Sequence, residues 1–219
     1  MVDTLKECIT NCAFNEIMIA TGFWDLPGMK LVASELEEFL SREGTSMRLL
    51  IGSDPVVRKH YLDKKFPDDA IKDDIFKLHF NEDYQAVVDL LFKYCKANPD
   101  ESKLKIRIYK RDADGNAQFL HSKCYVFTDR TDEAIGIIGS SNFTKNGLEG
   151  NAELNYLETD ARIVNYIPQA GSKLLGHTHW FDTMWEQSED WNGEFIREIL
   201  SKAPIAVENP NNPDNQVSA

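Results

Sequence analysis

The spacing of apolar positions divides the chain into two halves of different rhythm. Residues 3–12 carry apolar side chains at helical spacing. EIMIATGF (16–23) is a β-branched and aromatic run that predicts a strand. Over 28–42, Leu31, Val32, Leu36, Phe39 and Leu40 recur at the spacing of one helix face, and a single helix is predicted. SMRLLIGSD (46–54) reads as a short strand ending in a turn. Two further helices are predicted over 68–80 and 83–95. Strand and helix alternate in the manner of an α/β sheet with parallel neighbours.

The second half is richer in strands. KLKIRIYK (103–110) alternates basic and apolar residues, as a half-buried strand does. RDADGNAQ (111–118) holds an Asp-Gly turn and predicts a hairpin to the following strand, 119–129. Strands are also predicted over 133–140 and 152–159. An aromatic helix is predicted over 179–191, with Trp180, Phe181, Met184 and Trp185 turned to the core, and a last helix over 193–201. The packed domain is expected to span 1–202. Residues 203–219, closing in NPNNPDNQVSA, are read as a flexible tail or linker, because that composition buries too little to order itself.

Composition narrows the picture. No run of eighteen apolar residues occurs, so no membrane span is expected. The first residues lack a basic start followed by an apolar stretch, so a cytoplasmic location is expected, with Cys8, Cys12, Cys95 and Cys124 reduced. The net charge of −12 opposes general adhesion to nucleic acid. One segment runs against it. Lys103, Lys105, Arg107, Lys110, Arg111 and Lys123 face only Asp112 and Asp114 between residues 103 and 123. Such a patch either focuses an anionic substrate or keeps a strand edge soluble. Lys105, Arg107 and Lys110 are the candidate substrate contacts. His177, His179 and Asp182 are a weak metal candidate lacking a fourth ligand, and no metal or cofactor is expected. Phe23, Trp24 and Pro27 follow the first strand, where a loop either joins a substrate cleft or simply packs.

The residues with the most chemistry lie between 121 and 154. His121 and Lys123 are two apart on a predicted strand and so share a face. Gly139-Ser140-Ser141-Asn142 follows at a strand end, and Glu153 comes eleven residues after Asn142. An imidazole can attack phosphorus. Lysine, asparagine and serine donors can hold the non-bridging oxygens. A carboxylate can fix the tautomer of the imidazole.

In this order the residues resemble the HKD motif of the phospholipase D superfamily: HxK, then GSxN, then a spaced glutamate. The continuation Phe143-Thr144 and the pair Asn151/Glu153 resemble its single-motif nucleases, restriction endonucleases and helicase-associated domains. One position departs. The aspartate of the motif would fall on Thr128, and Asp129 stands one residue later.

The resemblance implies an α/β sandwich with a mixed sheet flanked by helices. It implies a metal-independent phosphodiesterase that works through a phosphohistidine. His121 is the nucleophile, Lys123 and Asn142 clamp phosphate, Glu153 steadies the imidazole, and Ser140 and Ser141 contact substrate. DNA is expected as substrate before RNA, and no membrane partner is expected. With a single HxK in the chain, the expected partner is a second copy, forming a homodimer with a shared active site. A C-terminal helicase or specificity domain is a further expected partner. Two other readings stand beside this one: a catalytically weak DNA-binding or dimerisation module, and a hydrolase of another phosphodiester.

Overall fold

The computed structural model describes residues 1–52, 67–79, 81–109 and 120–209. Seven strands form one mixed sheet in the order β6-β5-β4-β1-β2-β3-β7. They are β1 Glu16–Thr21, β2 Ser46–Ile51, β3 Leu104–Ile108, β4 Lys123–Thr128, β5 Ala134–Gly139, β6 Asn155–Glu158 and β7 Glu189–Asp190. β1, β2 and β3 run parallel, while β4 lies antiparallel to β1, and β5 and β6 continue from it in antiparallel fashion. The apolar run of β1 matches its central place, since all but Glu16 are buried and helices cover both faces.

On one face, Ile17, Ile19, Ile51, Ile106, Ile108, Tyr125 and Phe127 meet the main helical layer in the large core. That layer includes α1 (Val2–Thr10), α2 (Leu26–Lys30), α3 (Ala33–Ser41), α4 (Pro67–Ile75) and α5 (Glu82–Tyr94). On the other face, Met18, Ala20, Leu50, Cys124 and Val126 form a smaller core with Phe181 and Trp185. Those aromatics belong to α7 (His177–Glu186), which follows the short α6 (Ala161–Val164).

Three expectations about elements need correction. The helix expected over 28–42 is two helices. Asp25 caps the first by accepting the Gly28 amide at 2.6 Å. Three-residue backbone turns at Leu31 and Val32 then close it before α3 begins. The hairpin expected between 103–110 and 119–129 does not form: β1 and β2 lie between β3 and β4, and residues 110–119 are outside the described residues. The packed body also does not end at residue 202. Helical turns continue through Asn192–Glu194, Phe195–Ile199, Leu200–Lys202 and Pro204–Val207. Ala203, Ile205 and Ala206 are buried, and Asn209 donates to Asp89 at 3.0 Å. Pro204 starts a helical turn rather than a linker, because the apolar Ile205-Ala206 that follows can reach the core. Residues 210–219 of the expected tail lie outside the described residues.

Candidate active site

The carboxyl ends of β1, β2 and β5 and the start of β4 meet at one end of the sheet. Strand register decides what gathers there. Thr21, the last residue of β1, stands opposite Lys123, the first residue of β4, and opposite Ile51 at the end of β2. His121 precedes β4, so HxK is split between a strand and the segment leading into it. Gly52 makes room for that segment. A Cβ there would lie 2.1 Å from the Leu120 carbonyl oxygen, closer than any side chain permits.

His121 and Asn142 converge on Gly22. A Cβ placed on Gly22 would lie 3.0 Å from His121 Cδ2 and 3.4 Å from Asn142 Oδ1. His121 is exposed and Asn142 half-buried, while Lys123 is buried with Nζ 3.3 Å from the His121 carbonyl oxygen. An imidazole, an ammonium and a carboxamide therefore meet where 121 residues of sequence separate Thr21 from Asn142.

The carboxamide is oriented by the loop after β1. Asn142 Oδ1 accepts the Phe23 amide at 3.0 Å, which fixes the orientation of the carboxamide against the loop after β1. Thr21 is fully buried. Its hydroxyl donates to the Phe23 carbonyl at 2.7 Å, accepts the Phe143 amide at 2.9 Å and lies 3.4 Å from Asn142 Oδ1. The turn is closed from the other side by a π turn, Asn146–Gly150. A Cβ on Gly147 would lie 2.4 Å from the Asn142 carbonyl oxygen, so only glycine lets the turn seat there. Thr21, Gly22, Gly52 and Gly147 were not singled out from the sequence. A threonine at a strand end and scattered glycines gain meaning only when distant segments meet.

The two serines have backbone and side-chain partners within the fold. Ser140 Oγ accepts the Leu154 amide at 3.0 Å. Ser141 is fully buried, its Oγ accepting from Asn155 Nδ2 at 2.8 Å and its carbonyl accepting the Tyr125 hydroxyl at 2.8 Å. Both serines thus splice β5 to the segment bearing Glu153. Asn151 Nδ2 donates to Glu153 Oε1 at 3.1 Å. Burial first, and then the charges of Cys124 and Glu153, push the Tyr125 phenol up.

The basic strand faces elsewhere. Arg107 donates to the Trp185 carbonyl at 2.8 Å, and its guanidinium lies 5.0 Å from the Trp185 ring centroid. Lys105 alternates with Ile106 on the same side as Arg107, so both belong to the α7 face, opposite Tyr125. Lys110 is outside the described residues. The metal candidate dissolves in the same way. Asp182 accepts from Arg48 and from Arg130, each at 2.8 Å, and His177 stacks over Gly136. No group of three His, Cys, Asp or Glu among the described residues is gathered for a metal.

The departure from HxKxxxxD falls at the far end of β4, where Thr128 is five residues from Lys123, about 16 Å along the strand, and Asp129 is the next residue. Thr128 is buried and accepts the Arg130 amide at 2.8 Å, while Asp129 accepts the Thr131 and Glu133 amides at 2.7 and 3.1 Å. Both organise a turn remote from His121.

Among the described residues no helix is long and apolar enough to cross a membrane. A family model described as "Cardiolipin synthase, PLD-like domain" matches residues 5–174. NucT from Helicobacter pylori is similar in structure at 17% identity and a TM-score of 0.48, over 86% of this chain and 89% of that one. Nuc from Salmonella typhimurium, a phospholipase D family member, is similar at 13% identity and a TM-score of 0.48, over 86% and 88%. Phosphatidylserine synthase from Haemophilus influenzae Rd KW20 is similar at 14% identity and a TM-score of 0.50, over 97% of this chain and 40% of that one. At such identities the likeness is one of fold. No curated protein matches the chain.

Proposed function

The chain belongs to the phospholipase D-like family, and from that premise we propose that it is a metal-independent phosphodiesterase that cleaves DNA through a phosphohistidine on His121. The observation that carries this reading is the convergence of His121 and Asn142 on Gly22, with Lys123 Nζ 3.3 Å from the His121 carbonyl. A nucleophile stands there beside two donors suited to the non-bridging oxygens of a phosphodiester.

In the first step an imidazole nitrogen of His121 bonds to phosphorus and the bond to the leaving oxygen breaks. That oxygen takes a proton from a second imidazolium. Water then attacks phosphorus and gives its proton to the same, now neutral, imidazole. The P–N bond breaks and His121 is regenerated. The second imidazole is the His121 of another copy. His79 pairs with Glu208 and His177 lies over Gly136, so neither is at this end of β4. A homodimer with a shared site supplies the missing group by symmetry. DNA is favoured by the nuclease-like run Ser140 to Thr144 with Asn151 and Glu153. A C-terminal helicase or specificity domain is the further partner of this reading, and it would add DNA affinity to an acidic domain.

A second reading, hydrolysis of a lipid phosphodiester, is favoured by one observation: Leu154, next to Glu153, is 83% exposed. The net charge of −12 counts against it at an anionic bilayer. The deciding assay is hydrolysis of single-stranded DNA, and of a phospholipid vesicle, in excess EDTA. DNA cleavage that persists in EDTA and vanishes in His121→Ala is expected. Cleavage only on adding a divalent metal would overturn the mechanism, and cleavage of lipid alone would overturn the substrate.

A further inference from the structure

β4 brings a second polar side chain to the GSxN turn. Tyr125 lies two residues beyond Lys123, about 7 Å along the strand and on the same face. It stands opposite Ile19 of β1 and Ile137 of β5, and it is fully buried. Ile19, Ile137 and Phe127 belong with it to the large apolar core, which makes no demand for a hydroxyl. A hydroxyl buried there costs free energy unless it finds a partner. Its partner is one backbone carbonyl, that of Ser141, at 2.8 Å.

The same side chain meets the turn a second time. Its ring lies edge-on to Phe143, with centroids 6.2 Å apart and planes at 89°. Tyr125 thus contacts the residue before Asn142 and the residue after it. The other bonds of these two neighbours lead to different strands. Ser141 is joined to Asn155 of β6, with Oγ accepting at 2.8 Å, and the Phe143 amide donates to Thr21 of β1 at 2.9 Å. Only the Tyr125 contacts among these tie the turn to β4, the strand that begins with Lys123.

That tie bears on the chemistry. Lys123 is set by its place in the sheet opposite Thr21, whereas Asn142 sits on a turn beyond the end of β5. Two donors can share the oxygens of one phosphate only if strand and turn keep a fixed separation. A displacement of about 1 Å in such a constellation can cost roughly a hundredfold in rate. Burial pushes the Tyr125 phenol up, so the group remains a donor throughout the neutral pH range.

We propose that Tyr125 is a positioning residue of the phosphoryl reaction, acting through Asn142 by setting the turn that carries the carboxamide against the strand that carries Lys123. The inference rests on the phosphodiesterase reading above and adds to it a residue outside the HxK and GSxN pattern.

The test is steady-state hydrolysis of bis(p-nitrophenyl) phosphate in excess EDTA, well below the melting temperature of every variant. Tyr125→Phe keeps the ring and removes the donor. It should lower kcat by about tenfold and leave KM within about twofold, the mark of an interaction used in the transition state. Phe143→Leu keeps the hydroxyl and removes the ring contact on the other side of Asn142. It should lower kcat by about threefold, and it carries the test if Tyr125→Phe does not fold. Phe127→Leu is the control: it loosens the same core two residues further along β4, against Phe14, and should lower Tm with kcat unchanged. Unchanged kcat in both Tyr125→Phe and Phe143→Leu would overturn the role. So would an equal loss of kcat in Phe127→Leu, or a rise in KM at constant kcat. Absence of any turnover by the unaltered protein would overturn the phosphodiesterase reading, and the role with it.

Discussion

Thr21 performs no phosphoryl chemistry, yet three segments depend on its hydroxyl. It holds the Phe23 carbonyl and the Phe143 amide, and stands beside the carboxamide of Asn142. Valine has nearly the same shape and would leave a buried amide and a buried carbonyl without partners. The cost should be about 2 kcal/mol, in the range for buried unsatisfied groups. Because the same bonds aim Asn142, Thr21→Val is also expected to lower kcat by at least about tenfold at temperatures where it remains folded, with KM little changed. Thr21→Ser keeps the hydroxyl and should restore most of kcat. Equal kcat for the valine and serine variants, measured below both melting temperatures, would show that Thr21 is merely structural. At this scale the motif itself was legible. His121, Lys123 and Asn142 are recognisable by type and spacing, whereas Thr21 and Gly147 are ordinary letters whose role depends on what folds against them.

Among the elements, α7 shows how tertiary packing decides what local pattern cannot. The alternation in 103–110 puts Lys103, Lys105 and Arg107 on one face, but does not say which neighbour covers that face. α7 settles that by taking Arg107 against Trp185 and by placing Asp182 between Arg48 and Arg130. Glu16 closes the ring, accepting from Arg48 at 2.8 Å and from Arg130 at 2.5 Å. Burial would raise the Asp182 pKa, but hydrogen bonds from Arg130 and Arg48 outweigh it and hold the carboxyl below its ordinary value. A depressed folded pKa adds stability above the unfolded value of about 3.9, and the contribution is lost as pH falls through the folded value. Asp182→Asn should therefore lower Tm at pH 7 by an amount corresponding to roughly 1 kcal/mol. That figure is kept small because the carboxylate is 38% exposed and screened. The gap between the two proteins should narrow below about pH 4. A gap in thermal unfolding that stays constant from pH 7 to pH 3 would contradict this account of the clamp. The packed turns over 203–209 depend on core contacts made by residues far away in sequence, such as Asp89 for Asn209, whereas the helix break at Val32 is set locally by the Asp25 cap and the turns that follow it.

For the whole molecule, strand and helix alternation was enough to indicate an α/β sheet, and the resemblance implied that the sheet is mixed, but neither gave the strand order. β4 inserts beside β1 rather than pairing with β3, and this long-range choice brings His121 to Gly22. On the proposed mechanism, in-line displacement needs one imidazole to attack and another on the leaving side, and His121 would provide only the first. The central claim is that a second copy supplies the other half. His121→Ala protein would be mixed in equal amounts with unaltered protein and allowed to exchange subunits. DNA cleavage in EDTA would then be measured per total protein. If the site is shared, each mixed dimer holds a single histidine and is inactive, so activity should fall to about a quarter of that of unaltered protein. If activity settles near half, each chain works alone, and the shared half-site is wrong.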